Sequence, residues 1–392
     1  MKTQRSSKFG LTSCFRNARR SMAWTVLCLA VCMLGLGISA NAQNGHIITV
    51  EAPGAGAGAG QGTWVNAINS IGEVAGWYVD GNNVYHGFIR GLGGEVTDVN
   101  AWLAGTAAYQ GTLIEDINSA GATTGYYVDS NNVNHGFVCA RDGRITIFDV
   151  PAAGTAAGQG TLGSNINATG TVLGVFIDAE GNWHYFLRRS DARFTTFDAP
   201  GEGAGASIGW GYPGELNDAG AATSMYGDGN NVLHGWLRTP DGNITRIDAP
   251  GAGTASGEGT YTIAINSEGA LVGGFIGPGG SWGSVQGFVR DVHGGITTFG
   301  PPPGKGTVFS NDINARGEIV GYCWTWNEAD QNIGGDAAFS RAPNGTYTVF
   351  SLPGAGTGNY QGSYGIAVNQ RGLITGTVTD DNFVTWSYVM TP

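Results

Sequence analysis

From residue 46 to the end, the chain is built of short apolar runs, four to seven residues long and rich in β-branched and aromatic side chains. Each run is bounded by Asn, Asp or Gly, the signature of strands joined by tight turns. One run reads Ile-Thr-x-Phe-Asp, and a Gly/Ala-rich loop follows it. The next ends in Ile-Asn-x-x-Gly, as at Ile68-Asn69 to Gly72, and is followed by Val-x-Gly-x-Tyr, as Val74 to Tyr78. A turn such as Asp80-Gly81-Asn82-Asn83 then leads into His86-Gly87-Phe88-Ile89-Arg90. After residue 43 no segment carries a helical period long enough to compete.

These four runs recur in register. Arg144-Ile-Thr-Ile-Phe-Asp-Val-Pro151 matches Arg193-Phe-Thr-Thr-Phe-Asp-Ala-Pro200 and Asn243-Ile-Thr-Arg-Ile-Asp-Ala-Pro250. The same phase begins near 46, 95, 144, 193, 243, 295 and 346, at spacings of 49, 49, 49, 50, 52 and 51 residues. Periods of this size mark solenoids, propellers or arrays. Four strands per repeat in a meander predict an all-β fold: a seven-bladed β-propeller of four-stranded antiparallel blades occupying 43–392 as one domain. The Gly/Ala loop is the longest connection, so it is read as the crossover between blades. On that phase the last repeat ends one strand short and Ile47 to Ala52 is left over. The N-terminal strand is therefore expected to join the last blade and close the ring, which removes open sheet edges.

Residues 1–42 read differently. Lys2, Arg5, Lys8, Arg16, Arg19 and Arg20 precede an uncharged, mostly apolar run from Ala23 to Ser39, and Ala40-Asn41-Ala42 follows. This is the pattern of a secretory signal peptide cut after Ala42. The run is short for a bilayer span, so no membrane insertion is expected after cleavage, and the mature chain is placed in the periplasm or outside the cell. Arg19-Arg20 leaves the general and twin-arginine export routes both open.

Removing the leader sharpens the charge. It takes six of the 19 basic residues and none of the 30 acids, leaving 13 basic groups and a net charge of −17. Lys305 becomes the only lysine. Phosphate-tracking surfaces need clustered Lys and Arg, so nucleic acid and anionic membrane are poor partners and no nucleic-acid partner is expected. Glycine is abundant, 69 of 392 residues, against roughly 7% in an average protein. Of five cysteines only Cys139 and Cys323 lie beyond the leader, too few for a disulfide framework in an oxidising compartment. Stability has to come from packing, and a monomer is expected.

The third-strand triplet carries a family resemblance. It reads His86-Gly87-Phe88, His135-Gly136-Phe137, His184-Tyr185-Phe186 and His234-Gly235-Trp236, then departs to Gln286-Gly287-Phe288, Ala337-Ala338-Phe339 and Trp386-Ser387-Tyr388. Beside Ile-Asn-x-x-Gly and Val-x-Gly-x-Tyr, it resembles the bacterial "probable extracellular repeat, HAF" family, named for His-Ala-Phe, over residues 46–392. The middle residue is alanine only at Ala338, in a triplet that lacks the histidine. The resemblance implies a secreted repeat fold and no particular activity.

The four histidines invite a metal reading. Equivalent third strands lie too far apart to converge on one ion at the roughly 2.0–2.1 Å that zinc requires, so hydrogen-bonded structural histidines are expected and no metal site is assigned. Asn69, Asn118, Asn167, Asn217, Asn266, Asn314 and Asn369 fill one slot throughout, where a side-chain-to-backbone turn explains them. The Asp turns, such as Asp80 to Asn83 and Asp129 to Asn132, raise calcium as the one cofactor worth weighing. Each offers a single carboxylate, short of the roughly 6–8 oxygens calcium takes, so no cofactor is assigned. Gly205-Ala206-Ser207-Ile208-Gly209 matches a nucleophile elbow in letters but lies in a Gly/Ala loop with no helix after it.

Two groups of residues remain as candidate chemistry. The acids Glu115, Asp116, Glu215 and Asp312 sit on inner strands near the expected channel, where paired carboxylates would serve glycoside cleavage. Ala67, Ala264 and Ala367 hold the same slot elsewhere, so the fold does not demand acids there. The second group lies where the repeat is broken. Asp80 to His86 is six steps, whereas Gly277 to Gln286 is nine and Thr325 to Ala337 twelve. The crossover between these loops is shortened, 12 steps from Pro302 to Asn314 against 16 from Pro53 to Asn69. Trp282, Trp324, Trp326, Glu328 and Asp330 cluster here, and loops on a rigid scaffold are where binding residues gather. Indole faces suit sugar rings, and the acidity disfavours an anionic polymer. The reading is a non-catalytic binding module for a neutral glycan or a cell-envelope component. A polysaccharide hydrolase or lyase using the channel acids, and a structural surface protein without a discrete ligand, are the alternatives.

Overall fold

The computed structural model describes residues 46–200, 214–324, 326–327 and 332–391. Within them each of the first six repeats folds into an antiparallel four-stranded meander. The first runs Gly62–Ile68, Val74–Val79, Tyr85–Arg90 and Val96–Val99, each strand paired with the next. The order recurs over 111–148, 160–197, 215–247 and 259–299. In the sixth repeat, 307–350, the strand pair Trp326–Asn327 and Asn332–Ile333 is inserted before the third strand. The seventh, 362–390, supplies three strands, and Ile47–Val50 pairs antiparallel with Thr385–Met390 as the fourth. The N-terminal strand thus sits where the repeat phase places it. This is an all-β architecture of the β-propeller type. No helix among the described residues is long and apolar enough to cross a membrane.

Neighbouring repeats meet along packed faces and at one parallel bridge. Tyr85 pairs with Gly111, Asn134 with Gly160, Leu233 with Gly259, Asp336 with Gly362 and Thr385 with Gly62. At Gly62, φ is +128° and a Cβ would lie 1.9 Å from the Thr385 carbonyl oxygen. No other residue combines that backbone with so close an approach, which explains the glycine that opens five of the inner strands, at Gly62, Gly111, Gly160, Gly259 and Gly362; that of the sixth repeat opens on Thr307 instead. The core lies between repeats: Ala67, Ala75 and Val99 pack on Ile114, Tyr127 and Phe137 of the next. The aromatic of the third-strand triplet, Phe88 or its equivalents Phe137, Phe186, Trp236, Phe288, Phe339 and Tyr388, has no exposed surface. Burying one such ring stabilises the fold by about 1.5–3 kcal/mol.

The recurrent asparagine has two tasks. Asn69 Oδ1 accepts from the backbone N–H groups of Ile71, Gly72 and Glu73, closing its own turn. Its Nδ2 donates to the carbonyl of Asn118 in the next repeat. Asn118, Asn167, Asn217, Asn266 and Asn314 each donate onward in the same way. Asn369 donates back to Asn69. The structural reading of these asparagines stands, and the repeat-to-repeat bond adds to it.

Candidate functional site

The inner-strand acids divide. Asp116, Glu215 and Asp312 line one central cavity of about 210 Å³, with Asp218 and six of the seven recurrent asparagines around them. Glu115 does not line it; its carboxylate accepts from Asn66 Nδ2 at 3.1 Å. The cavity acids are committed to the backbone. Asp116 accepts from its own neighbour Ile117 at 2.7 Å and from Ile166 of the next repeat at 2.8 Å. Asp312 accepts likewise from Ile313 and Val368, and Glu215 from Ile265. Asn165, in the same slot, accepts from Leu216. A polar side chain here satisfies an N–H of the adjacent inner strand, beside the bulge that interrupts pairing in six of the repeats.

Though they keep some accessible surface, these carboxyls are ringed by protein. Burial, followed by the Asp116 charge, pushes Glu115 up to about 7. Burial raises Asp116 to about 7 against the pull of its N–H donors, with Asp312 and Asp218 adding repulsion. Asp312 rises to about 6 by burial. Glu215 is held well above its ordinary range by burial and the Asp312 charge.

The histidines are braced by carboxylates. His184 Nδ1 lies 2.7 Å from Asp198 and Nε2 3.2 Å from Asp178, while its ring stacks on Phe176, its cross-strand neighbour. Burial alone would lower its pKa, but the two carboxylates outweigh it and raise it. His135 and His234 bond Asp149 and Asp248 in the same way. In the first repeat Asn100 takes the slot of Asp149, and His86 Nδ1 is left without a partner. One bridge therefore ties the Asp turn, the third strand and the Phe-Asp strand of a repeat. Among the described residues no group of His, Cys, Asp and Glu is arranged to hold a metal ion.

The lengthened loops build an aromatic cluster. Trp282 lies on a short 3-10 turn whose ends are fixed by Ser281 and Ser284 capping each other. Thr307 and Val308 of the sixth repeat bond back to this turn at the carbonyls of Trp282 and Val285. Trp282 is 36% exposed, lies 18° from parallel to Phe309 at 6.3 Å, and touches Tyr261 at 5.6 Å. Phe309 stacks on Tyr322 at 4.9 Å, and Tyr322 meets Tyr364 edge-on at 5.1 Å. The Tyr364 hydroxyl donates to Asp336, whose carboxyl burial raises to about 6. Three buried polar atoms in this connected group have no partner: Tyr261 Oη, Trp324 Nε1 and Asp336 Oδ1.

Trp324 is not a loop residue. It ends the strand Ile319–Trp324, is 8% exposed, and packs with Met225, Tyr261, Val285 and Phe309. It occupies the slot of Val79 and Ile276, so the repeat makes it core. The Trp326 side chain, Glu328 and Asp330 lie outside the described residues, as does the Gly205–Gly209 match. Sequence reasoning missed Tyr261, Phe309 and Tyr364, which share one inner-strand slot with Leu113 and Leu162; that run of aromatics over adjacent repeats was the available signal.

No protein-family model matches the chain, and no curated protein does. Among solved structures, virginiamycin B lyase from Staphylococcus aureus is similar, with a TM-score of 0.51 at 13% identity, covering 89% of this chain and 100% of that one. The BP39L lectin from Burkholderia pseudomallei aligns at a TM-score of 0.46 and 12% identity over 80% of this chain and 93% of the lectin. A fungal lectin from Aleuria aurantia, with a six-bladed β-propeller fold and a fucose recognition mode, aligns at 0.36 and 10% identity over 78% and 94%. At these identities the likeness is one of fold.

Proposed function

We propose that the protein is an exported seven-bladed propeller, closed by its N-terminal strand, that binds a neutral glycan at the fifth and sixth repeats. The pairing of Ile47–Val50 with the last strand and the return of the asparagine series to Asn69 support the closed ring. The basic and apolar pattern of residues 1–42 supports export, and the His-x-Phe triplets support a place beside the HAF repeat proteins.

The observation that carries the binding reading is Trp282: a partly exposed indole laid over an aromatic cluster that holds three hydrogen-bonding atoms without partners. Sugar rings offer apolar faces to stack on such a surface. With 30 acidic residues against 19 basic ones, an anionic polymer is disfavoured, which supports a neutral one. The cavity acids favour binding over hydrolysis, since Asp116 and Asp312 each spend both oxygens on backbone N–H groups. Retention on insoluble cellulose, xylan, mannan and chitin tests the reading: the unaltered protein is held by at least one, and Trp282→Ala is not.

A further inference from the structure

The exposed large aromatic side chains among the described residues are Trp102, Tyr109, Trp282, Tyr360 and Phe383. All lie at one end of the meanders, in crossovers or in the turns before the third strands. The opposite end, with the asparagine turns, exposes none. Three of them also occupy left-handed backbone. Tyr109 and Tyr360, with φ of 64° and 59°, stand in the slot held by Gly60, Gly158 and Gly257. Phe383, with φ of 60°, stands where the other turns carry Asn83, Asn132 and Asn231. Glycine adopts this conformation freely and asparagine readily, whereas a bulky aromatic does so at a cost. Each of the three thus adds strain and exposed apolar surface that the repeat's own residue avoids, and such outliers point to function.

Their order along the fold is consecutive. Trp282 is bonded to the start of the sixth repeat, and Tyr360 lies in the crossover from the sixth to the seventh. Phe383 accepts the Gly60 N–H of the crossover into the first repeat, and Tyr109 donates its N–H to Asn83 at the junction of the first with the second. Tyr109 also leans on Tyr85 at 6.5 Å. Trp102 joins it in the same crossover, in the slot that Pro53, Pro151, Pro250 and Pro353 fill elsewhere. Four successive junctions therefore present an aromatic ring. The junctions built on Asn132 with Gly158 and on Asn231 with Gly257 present none.

We infer that this arc is a track for an extended neutral polysaccharide chain, running from Trp282 past Tyr360 and Phe383 to Tyr109 and Trp102. The inference rests on the glycan reading and extends it from one subsite to several. The rings are carried on four successive junctions, with Trp102 and Leu103 exposed side by side in one of them, and a row of spaced aromatic faces suits successive sugar rings. Weak subsites linked along one polymer act together, so affinity rises with chain length.

The test returns the three strained positions to the residues the other repeats use: Tyr109→Gly, Tyr360→Gly and Phe383→Asn in one chain. Binding is measured by affinity electrophoresis with soluble hydroxyethylcellulose, arabinoxylan and glucomannan, and by titration with the matching dimers. The expected result is a loss of about tenfold or more in polymer affinity, dimer affinity unchanged, and a melting temperature equal to or above that of the unaltered protein. Unchanged polymer affinity in the triple variant, with Trp282→Ala still abolishing binding, overturns the track and leaves the single site. Absence of binding by the unaltered protein to every polymer overturns both.

Discussion

The side-chain amide of Asn369 donates to the carbonyl oxygen of Asn69 at 3.0 Å, although 300 residues separate them. Beside it, Ile47–Val50 covers the edge of Thr385–Met390. A protein that begins at Pro53 loses that cover and leaves a three-stranded sheet with an open edge, a template for pairing with another chain. Such a protein is expected to oligomerise or to lose cooperative unfolding, by sedimentation and calorimetry. A monomer that melts like the 43–392 chain would contradict the closed ring.

Trp324 and Trp282 meet the same Phe309 ring but differ in burial. Trp324→Ala empties a core position and is expected to cost about 3–5 kcal/mol. Trp282→Ala removes a partly exposed ring and is expected to cost about 1 kcal/mol. Denaturant titration of the two variants separates them; equal losses would mean that Trp282 is core as well.

The inner-strand acids give stability a pH dependence of definite sign. A carboxyl whose folded pKa is raised holds its proton after the unfolded chain has lost it, so stability is greatest below the unfolded values of about 3.9 for Asp and about 4.3 for Glu. It then falls as pH rises through the folded values, about 6 for Asp312 and about 7 for Asp116 and Glu115. Glu215, shifted the same way, accepts one backbone N–H, a bond that an amide oxygen keeps. Glu215→Gln is expected to gain about 1–2 kcal/mol near pH 8 and almost nothing near pH 4. A loss at the higher pH would show that the ionised carboxylate is needed.

Cys139 and Cys323 are buried free thiols in the second and sixth repeats. Burial raises both, Cys323 to about 11, which keeps them unreactive in the folded state. Thiol titration of the 43–392 protein, denatured without reductant, is expected to count both; a count of zero would break the placement of the repeats.

Much of the fold is legible in the sequence because the repeat states it many times over. The glycine that opens most inner strands, the asparagine turn and the buried third-strand aromatic recur at fixed offsets, and the left-over strand at Ile47 follows from their phase. The candidate site is less legible, for two physical reasons. Asp116 answers an N–H at Ile166, one repeat away, beside a bulge that no local pattern reveals. Trp324 lies at the very end of a strand, and counting the loop from Thr325 draws it in with the loop tryptophans although its slot is that of Val79. Tyr109 and Tyr360 were within reach: each is a departure from Gly at a slot where glycine has a steric reason to be.

Trp282 is the proposed platform for a sugar ring, and its fluorescence tests that role most directly. The emission difference between the unaltered protein and Trp282→Ala isolates this indole from the rest. Titration with a neutral polysaccharide that retains the protein is expected to shift the isolated emission to shorter wavelength and to saturate along the binding curve. A polysaccharide that binds while the Trp282 emission stays fixed would place the site elsewhere on the propeller.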